Sequence, residues 1–340
     1  QDGQVVQIAP IHRRKESHRE ILVILTMYDK YEDEKFCQRW NNGKDSFKST
    51  NDEKINIDRD GYFVRGIPKT QAASFVEGHH YSGSYPPSRF QAGLFRDSEN
   101  GMHELCGVAG FTVPMSNNVV NRYAKGATVS GDKPTSIELG RFVLLDDVPH
   151  NGESWFLGKC FGNSGGLLKE AIPSIDTVLA FSDPIMRTNQ NGKMVMPGHI
   201  GTIYQAHNGV YVGRSHKKTI RMTPKGTVLS ARTLSKIRKE ESGWKGGIKQ
   251  MVSAGAEPRR IGETPLEYYN REIDNFPKVS HPGNHAYLWP IGNKKERREA
   301  KSCFLPEQEY PKWTSEEYNR IQEMSKRKAI TETILQQITL

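Results

Sequence analysis

A run of proton-exchanging side chains at residues 79–82 is the densest group in the chain that could do chemistry. It reads His79-His80-Tyr81-Ser82 and follows a helical segment. Loops held by a rigid scaffold often carry functional groups, and imidazole, phenol and hydroxyl groups exchange protons in catalysis. We therefore expect His80, Tyr81 and Ser82 to be catalytic. A polar loop with one buried histidine is the simpler interpretation.

Two further candidates lie along the chain. Asp183 ends the apolar segment VLAFS, and the carboxyl ends of strands in α/β sheets face the ligand crevice. It could be a base, a substrate ligand, a turn residue, or a metal ligand with the histidine run or His199. The spacing matches no standard metal motif, so the metal stays unknown. The phenol of Tyr204 could act as a general acid, or it could simply pack in the core.

The segment Pro149–Ser154, PHNGES, lies between an apolar strand and a helix. Helix starts bind anions through free N–H groups and the helix dipole. Gly152 permits close approach of the backbone, and Ser154 adds a hydroxyl donor. This pattern favours a phosphate-binding loop. The alternative is an ordinary helix start capped by Asn151.

Hydrophobic periodicity predicts the elements that hold these groups. The predicted strands are Gln91–Arg96, Leu105–Val113, Ile137–Leu145, Thr177–Ser182, Val210–Gly213 and His285–Ile291. The predicted helices are Thr70–Glu77, Glu153–Ala171 (broken at its glycines), Thr202–His207, Leu229–Glu241, one within Glu257–Phe276, and Ser315–Gln337. Residues 116–130 have a loop-like pattern. Glu138 and Arg141 stand at odd spacing on one strand, so we expect them to point to opposite faces.

These elements predict an α/β protein in three parts. Residues 1–60 form a polar extension, helical between about Glu16 and Trp40. Residues 61–225 form the core, and residues 226–340 form a basic C-terminal extension.

Positive charge is concentrated in one segment. The chain has a formal net charge of +9, and eleven Lys and Arg residues face two Glu residues between Gly213 and Lys249. A second cluster, KKERR, follows at Lys294–Arg298. Local excess of this kind suits a polyanion such as nucleic acid, because each neutralised phosphate releases counterions. The alternative is a solvated surface.

The remaining composition limits the class of protein. The four cysteines, Cys37, Cys106, Cys160 and Cys303, form no CxxC pair, which disfavours a zinc site or a disulfide framework. No apolar run approaches the roughly 18 residues of a membrane helix, and no signal-peptide pattern opens the chain. We expect a cytoplasmic protein without membrane association, in the host cytoplasm if the chain is phage-encoded.

Six segments, in this order, resemble the Mom family of phage DNA-modification proteins, a divergent branch of the GNAT-type N-acetyltransferase superfamily. They are HHYS (His79–Ser82), GVAGF (Gly107–Phe111), ELGRFVLLDD (Glu138–Asp147), PHNGES (Pro149–Ser154), AFSDP (Ala180–Pro184) and GHIGTIYQAHNGVYVG (Gly198–Gly213). The resemblance is good over Tyr62–Gly213 and looser over His285–Lys312. It does not reach residues 1–60.

This resemblance implies a GNAT-like mixed, splayed β-sheet flanked by helices, with N- and C-terminal extensions. Acetyl-CoA or a related acyl-CoA would lie between the strands Ile137–Leu145 and Thr177–Ser182, with its pyrophosphate at the following helix start. Tyr204 falls where the superfamily places its leaving-group tyrosine. The implied cofactor-binding residues are Val143, Leu144, Leu145, Asn151, Gly152, Glu153, Ser154 and Asn208.

The resemblance also implies the activity. Mom proteins add a methylcarbamoyl-type group to adenine N6 in phage DNA, which protects the DNA from host restriction. We therefore expect an acyl-CoA-dependent transferase that flips a base out of double-stranded DNA, with Tyr81, Tyr85 or Trp244 stacking on it. The expected DNA contacts are Arg214, Lys217, Lys218, Arg221, Lys236, Arg238, Lys294 and Arg297.

Two other functions stay open. One is an N-acetyltransferase of a small amine or a protein. The other is a non-catalytic DNA-binding phage protein on an acyltransferase core.

Overall fold

The computed structural model describes residues 39–41, 44–46, 57, 61–97, 101–131, 133–149, 151–162, 164–191, 194–196 and 198–312. The predicted C-terminal helix lies outside these residues. So do the predicted N-terminal helices, except at their end, where Arg39–Asn41 is a strand. The prediction of a helical N-terminal extension is therefore wrong at that end.

The described residues form fourteen strands and nine α-helices. The strands are β1 (Arg39–Asn41), β2 (Lys44–Ser46), β3 (Tyr62–Gly66), β4 (Ser88–Asp97), β5 (His103–Thr112), β6 (Ser136–Leu144), β7 (Thr177–Ser182), β8 (Arg187–Thr188), β9 (Met194–Met196), β10 (Val210–Arg214), β11 (Lys218–Met222), β12 (Val228–Leu229), β13 (Lys278–His281) and β14 (His285–Pro290). The helices are α1 (Lys69–His79), α2 (Asn117–Asn121), α3 (Gly152–Phe161), α4 (Gly166–Ala171), α5 (Thr202–Ala206), α6 (Ala231–Arg238), α7 (Trp244–Ser253), α8 (Pro265–Glu272) and α9 (Lys294–Ser302).

Seven strands build the main sheet in the order β10-β14-β7-β6-β5-β4-β3. All neighbouring pairs are antiparallel except β6 and β7, which are parallel. A parallel pair needs a crossover connection, and α3 and α4 provide it. The predicted mixed sheet flanked by helices is confirmed, and each predicted strand overlaps one in this sheet.

The parallel pair is short because β6 bends. It joins Ser136–Glu138 to Thr177–Leu179 and then ends, although both strands continue. The register of β6 against β5 shifts between Leu139 and Arg141, which leaves Gly140 as an extra residue. Such β-bulges bend a strand and increase its twist. The two strands therefore separate beyond Glu138, and the sheet is open at their carboxyl ends.

Apolar side chains cover both faces of the sheet. On one face, Phe156 and Leu157 of α3 and Leu168 of α4 pack against Ile137 and Leu139 of β6. On the other face, Ala72 and Val76 of α1 pack against Phe95, Val108 and Val143 of the sheet. Val120 of α2 packs on the β7, β10 and β14 side of this second face. The predicted loop at residues 116–130 is thus wrong in part, since it contains α2.

Glycines break the crossover helix, as predicted. Gly162 ends α3, and Gly165 has a φ of +95° ahead of α4. A side chain at Gly166 would overlap the carbonyl oxygen of Lys159. The broken helix places α4 beside the core near Leu168, which is fully buried.

Residues 215–284 form an insertion between β10 and β14. The insertion contains a three-stranded sheet, β12-β11-β13, and helices α6, α7 and α8 around their own core of Leu229, Ile237, Met251, Tyr268 and Phe276. The chain then returns to the main sheet through β14, which lies between β7 and β10. The predicted boundary at residues 225 and 226 falls between β11 and β12, and the division into domains stays a prediction.

The structure also describes three of the four cysteines. The described cysteines, Cys106, Cys160 and Cys303, are all free thiols. Within the part of the chain that is described, no helix combines the length and the apolar character needed to cross a membrane.

The bulge gives a first prediction. A Cβ at Gly140 would overlap the side chain of Thr112, so Gly140→Ala should lower the free energy of unfolding by about 1–3 kcal/mol. Gly246→Ala in α7 is the matched control, because nothing lies within 4 Å of a Cβ there; it should raise stability by about 0.5–1 kcal/mol. Urea unfolding measures both. Equal stability of Gly140→Ala and wild type would contradict the steric role of the bulge.

Candidate functional site

Polar side chains from both faces of the sheet meet where β6 and β7 separate. We call this group the polar junction; it comprises Tyr81, Glu138, Arg141, His199 and Tyr204. Tyr81 follows α1, Glu138 and Arg141 lie on β6, His199 precedes α5, and Tyr204 lies on α5. Burial and the charges of Tyr81 and Glu138 raise the pKa of Tyr204, and the charge of Arg141 lowers it. The ring of Tyr204 lies 6.2 Å from that of His199.

The bulge at Gly140 brings Glu138 and Arg141 to the same face. They stand opposite Thr112 and Gly110 of β5, which are two residues apart and so share a face. The expectation that they point to opposite faces is therefore wrong, because the extra residue at Gly140 changes the alternation.

Burial sets the protonation behaviour of the junction. Burial raises the pKa of Glu138 to about 7, although the positive charge of Arg141 opposes the shift. Burial also raises the pKa of Tyr204, and the charges of Tyr81 and Glu138 add to this effect. The pKa of His199 is lowered to about 4 by burial and by Arg187. At neutral pH the junction thus holds protonated phenols, a neutral imidazole and a carboxyl group poised to exchange its proton.

Tyr204 is held rigidly by aromatic neighbours. Its side chain is 8% exposed, and its ring lies 5.5 Å from the rings of both Tyr287 and Trp289. Gln205 donates to the hydroxyl of Tyr287 at 3.0 Å. The tyrosine is therefore a core residue whose ring is fixed by packing and also a member of the polar junction.

His80 and Ser82 support Tyr81. The backbone N–H of Ser82 donates to Nδ1 of His80 at 3.1 Å, so the proton of the neutral imidazole is on Nε2. Burial and the charge of Arg141 lower the pKa of His80 to about 3. The His80 ring lies 4.1 Å from that of Tyr81. The structure thus gives His80 the environment of a neutral, buried histidine.

Asp183 lies at the centre of a second group that adjoins the junction. We call it the Asp183 cluster: Asp183, Arg187 and His281. Oδ1 of Asp183 accepts from the Ile185 N–H and from His281, both at 3.0 Å, and Oδ2 accepts from Arg187. Arg187 also acts on the pKa values of Tyr81 and His199. Both carboxylate oxygens are engaged, so Asp183 links β7, β8 and β13.

The tautomer of His281 follows from its contacts. Gly283 donates its N–H to Nδ1 at 3.0 Å, so Nε2 carries the proton that is donated to Asp183. Burial, Lys218 and Arg187 lower the pKa of His281 to about 4, and the imidazole is neutral. Two polar atoms beside this cluster, Arg187 Nε and Ser182 Oγ, are buried without a hydrogen-bond partner among the described residues. Such atoms mark a place where a ligand group or water can bind.

Groups of the predicted phosphate loop are engaged within the fold, and the Gly152 N–H donates to the Pro149 carbonyl at 2.9 Å. Asn151 does not cap α3, because its Oδ1 accepts from the Ile57 N–H at 2.6 Å. The Ser154 hydroxyl donates to the Asn151 carbonyl at 3.2 Å. Gly152 and Glu153 are buried, and a carboxylate in the first turn of α3 competes with an anion there. The exposed Asn208 follows α5 with a φ of +56°.

The free edge of β6 is a second feature of the predicted cofactor site. The N–H of Leu145 donates to Cys106 of β5 at 2.8 Å. Because strand groups alternate, the N–H and C=O groups of Phe142 and Leu144 point towards the opening, and those of Val143 and Leu145 point towards β5. Among the described residues, no strand pairs with β6 on that side beyond Glu138.

The basic residues expected to contact DNA lie in several parts of the structure. Arg214, Lys217 and Lys218 are exposed at the open end of the sheet, where Arg214 donates to His285 at 3.2 Å. Lys236 and Arg238 lie on α6 of the insertion. Arg221 is largely buried and donates to the Phe276 carbonyl and to Asp274.

Lys294 and Arg297 lie elsewhere. β14 runs from His285, beside Ser182, to Pro290, beside Thr177. The helix α9 follows it, so Lys294 and Arg297 are at the end of the sheet opposite the polar junction. The structure therefore does not bring them together with Arg214, Lys217 and Lys218.

A metal site was one of the alternatives left open for Asp183. Among the described residues, no three His, Cys, Asp or Glu side chains are arranged to hold a metal ion. Sequence reasoning missed Arg187, His281 and His285 as site residues and left Glu138 and Arg141 outside the catalytic set. The i, i+4 spacing of Asp183 and Arg187 could have indicated that pair. His281 had no local signal, because its partner is 98 residues away.

Glu138 gives a prediction about pH. Its pKa in the fold, about 7, exceeds the ordinary value of 4.5, so its ionisation opposes folding. The stability that the protonated Glu138 carboxyl group contributes is fully present below pH 4.5 and is lost as the pH rises through 7. Relative to Glu138→Gln, wild type should lose up to about 3 kcal/mol of stability across this range. Urea unfolding of both proteins at several pH values measures the difference, and a constant difference would contradict the burial of this carboxyl group.

The Mom protein family matches residues 61–312, a range that includes the main sheet, the polar junction and the insertion. A comparison with curated proteins finds no match. The family match confirms the resemblance drawn from the sequence motifs, and membership implies an enzyme that modifies DNA. The chain belongs to the Mom protein family.

Proposed function

We propose that this protein is an acyl-CoA-dependent enzyme that transfers an acyl-derived group to N6, the exocyclic amine of adenine, in double-stranded phage DNA. Acetyl-CoA would transfer an acetyl group, and a methylcarbamoyl-type product requires an acyl donor that carries the amide nitrogen. The product would protect the DNA from host restriction. The observation that carries the proposal is the polar junction, where a carboxyl group with a pKa of about 7 lies within electrostatic reach of Tyr204 at the opening of the sheet.

Groups at the opening support the acyl-CoA part of the proposal. A pantetheine chain carries amide groups, and the N–H and C=O groups of Phe142 and Leu144 are available to bind them at the edge of β6. The α3 start, the orphaned Arg187 Nε and the orphaned Ser182 Oγ add donors for polar groups. When bound, the thioester supplies an activated acyl carbon. The GNAT-like assignment of the sheet belongs to this proposal and is supported by the parallel pair that separates after three residues.

The junction supplies acid and base groups of the required kind. An exocyclic amine is a poor nucleophile, so it needs close positioning and a proton acceptor. Glu138 accepts the amine proton as the new N–C bond forms, since its pKa is near neutral pH. Tyr204 stays protonated, because its pKa is raised, and donates its proton to the departing sulfur. Arg141 stabilises negative charge beside both groups.

Asp183 and His80 act through other residues in this scheme. Asp183 fixes Arg187 and His281, and His80 supports the ring of Tyr81. In this proposal Tyr81 stacks on the flipped base, a role that aromatic residues fill in enzymes that act on bases. Base flipping and stacking are part of the proposal.

Nucleoside mass spectrometry tests the activity. Purified protein, duplex DNA and acetyl-CoA should give a modified deoxyadenosine, and the mass of the added group identifies it. Tyr204→Phe and Glu138→Gln should each lower modification by roughly 100- to 10,000-fold, because each removes one acid–base group. Acetylated lysines with unmodified nucleosides would instead identify a protein N-acetyltransferase.

A control keeps these losses interpretable. Tyr310→Phe removes a hydroxyl from a partly exposed tyrosine whose ring lies 6.4 Å from that of Tyr287. It should keep wild-type activity. Full activity in Tyr204→Phe would show that this tyrosine only packs.

A salt series tests the DNA contacts. Lys217 and Lys218 are exposed near the Asp183 cluster, since Lys218 acts on the pKa of His281. Replacing both by alanine should reduce the slope of log K against log salt by about 2 and lower modification. Replacing Lys294 and Arg298 by alanine removes the same charge at the opposite end of the sheet and should change the slope less. Equal effects of the two pairs would contradict a DNA path across the open end.

A further inference from the structure

The turn Arg260–Glu263 in the insertion presents an isoleucine to solvent. Ile261 is 106% exposed, whereas the other exposed large hydrophobic residues in the described part of the chain range from 37% to 72%. The N–H of Glu263 donates to the Arg260 carbonyl at 3.3 Å, and Gly262 has a φ of +83°. A glycine at the third position with positive φ is typical of a tight β-turn. The isoleucine therefore stands at the apex of an ordered turn.

Hydrogen bonds from α8 fix this turn. Arg271 of α8 donates to both carboxylate oxygens of Glu263, at 2.7 and 2.9 Å, and to the Pro258 carbonyl at 3.2 Å. The Arg260 N–H donates to Glu263 as well, at 2.9 Å. Bidentate arginine–carboxylate pairs give geometric specificity. The apex is thus held in place without any apolar partner for the isoleucine.

Two arginines lie directly before the apex in the chain, and Arg259 also donates to the Glu263 carbonyl within the turn. Arg259 and Arg260 precede Ile261 and are exposed. The guanidinium of Arg259 lies 5.6 Å from the centre of the Trp244 ring, and the ammonium of Lys245 lies 5.7 Å from it. The turn therefore combines one projecting apolar side chain with a basic rim.

The acidic groups of the insertion do not cancel this charge locally. Residues 215–284 contain fourteen Lys and Arg residues against seven Asp and Glu residues. Several of the acidic side chains are bound within the fold: Glu263 and Glu272 to Arg271, Glu241 to Arg232, and Asp274 to Arg221. A positive surface suits a polyanion. One isoleucine gives too little apolar area to anchor the insertion on a membrane.

We propose that Ile261 is a wedge that inserts between base steps in the minor groove of duplex DNA, with Arg259 and Arg260 on the flanking phosphates. Proteins that kink DNA use apolar wedges of this kind, combined with arginine and lysine. The wedge would unstack the duplex and so favour extrusion of the base. The inference rests on the proposed function, because it requires DNA as the substrate.

Fluorescence energy transfer across an end-labelled duplex tests the wedge, together with modification of duplex and single-stranded DNA. Wild type should bend the duplex by about 20–90°. Ile261→Ser should lose most of this bend and modify duplex DNA about 10-fold more slowly or worse. Its modification of single-stranded DNA should be unchanged, because no stack has to be opened. Ile261→Phe should keep the bend.

Met115→Ser is the matched control, since Met115 is 72% exposed and lies outside the insertion; it should behave as wild type. A normal bend and a normal ratio of duplex to single-strand modification in Ile261→Ser would overturn the wedge and leave the proposed function intact. Loss of only a protein partner or of self-association in Ile261→Ser would also overturn the wedge and leave the proposed function intact. Failure of wild type to bind or modify any DNA would overturn both proposals.

Discussion

The hydrogen-bonded pairing of β6 with β7 stops after three residues, and the rest of the site depends on this interruption. Gly140 adds one residue to β6, and the strand bends away from its neighbour. Strand alternation normally keeps the two faces of a sheet apart. At the opening, Tyr204 from one face reaches Glu138 and Arg141 from the other. In the same place, backbone groups of Phe142 and Leu144 have no strand partner among the described residues.

Burial determines the charges around this opening. The pKa values of His80, His199, His281 and His285 are all lowered, with burial as the largest cause. Neutral histidines leave the arginines as the fixed charges of the site, and Asp183 is already paired with one of them. The surroundings are therefore positive and suited to an anionic ligand. With a pKa of about 7, Glu138 has protonated and ionised forms of similar free energy near neutral pH, which is the property required of a proton acceptor.

The insertion is tied to the site by buried contacts, which include the packing of Ile220 and Met222 of β11 on Ile185. His281, the last residue of β13, donates to Asp183 at the end of β7, and the neighbouring β11 carries Lys218. The same small sheet thus joins the opening between β6 and β7 to the helices of the insertion. Under the proposed function, this connection would hold the DNA-binding surface in a fixed position relative to the polar junction.

Sequence alone determined the elements with strong local patterns. Strands such as Thr177–Ser182 follow from a short apolar run, and the break in the crossover helix follows from glycine conformation; both signals act over a few neighbouring residues. The motifs around residues 79–82, 138–147 and 198–213 indicated the family, which the match over residues 61–312 confirms. Short-range signals also singled out Tyr81, Asp183 and Tyr204, which the structure brings to one end of the sheet.

Tertiary structure alone decided how these residues combine. The bulge at Gly140 depends on the space that Thr112 occupies on another strand, so strand periodicity gave the wrong faces for Glu138 and Arg141. His281 reaches Asp183 only because an insertion folds back through β13, and Lys294 is carried to the far end of the sheet by the direction of β14. Local patterns determine elements, whereas pairings between distant strands determine which side chains meet, because those contacts depend on the register and direction of the whole sheet.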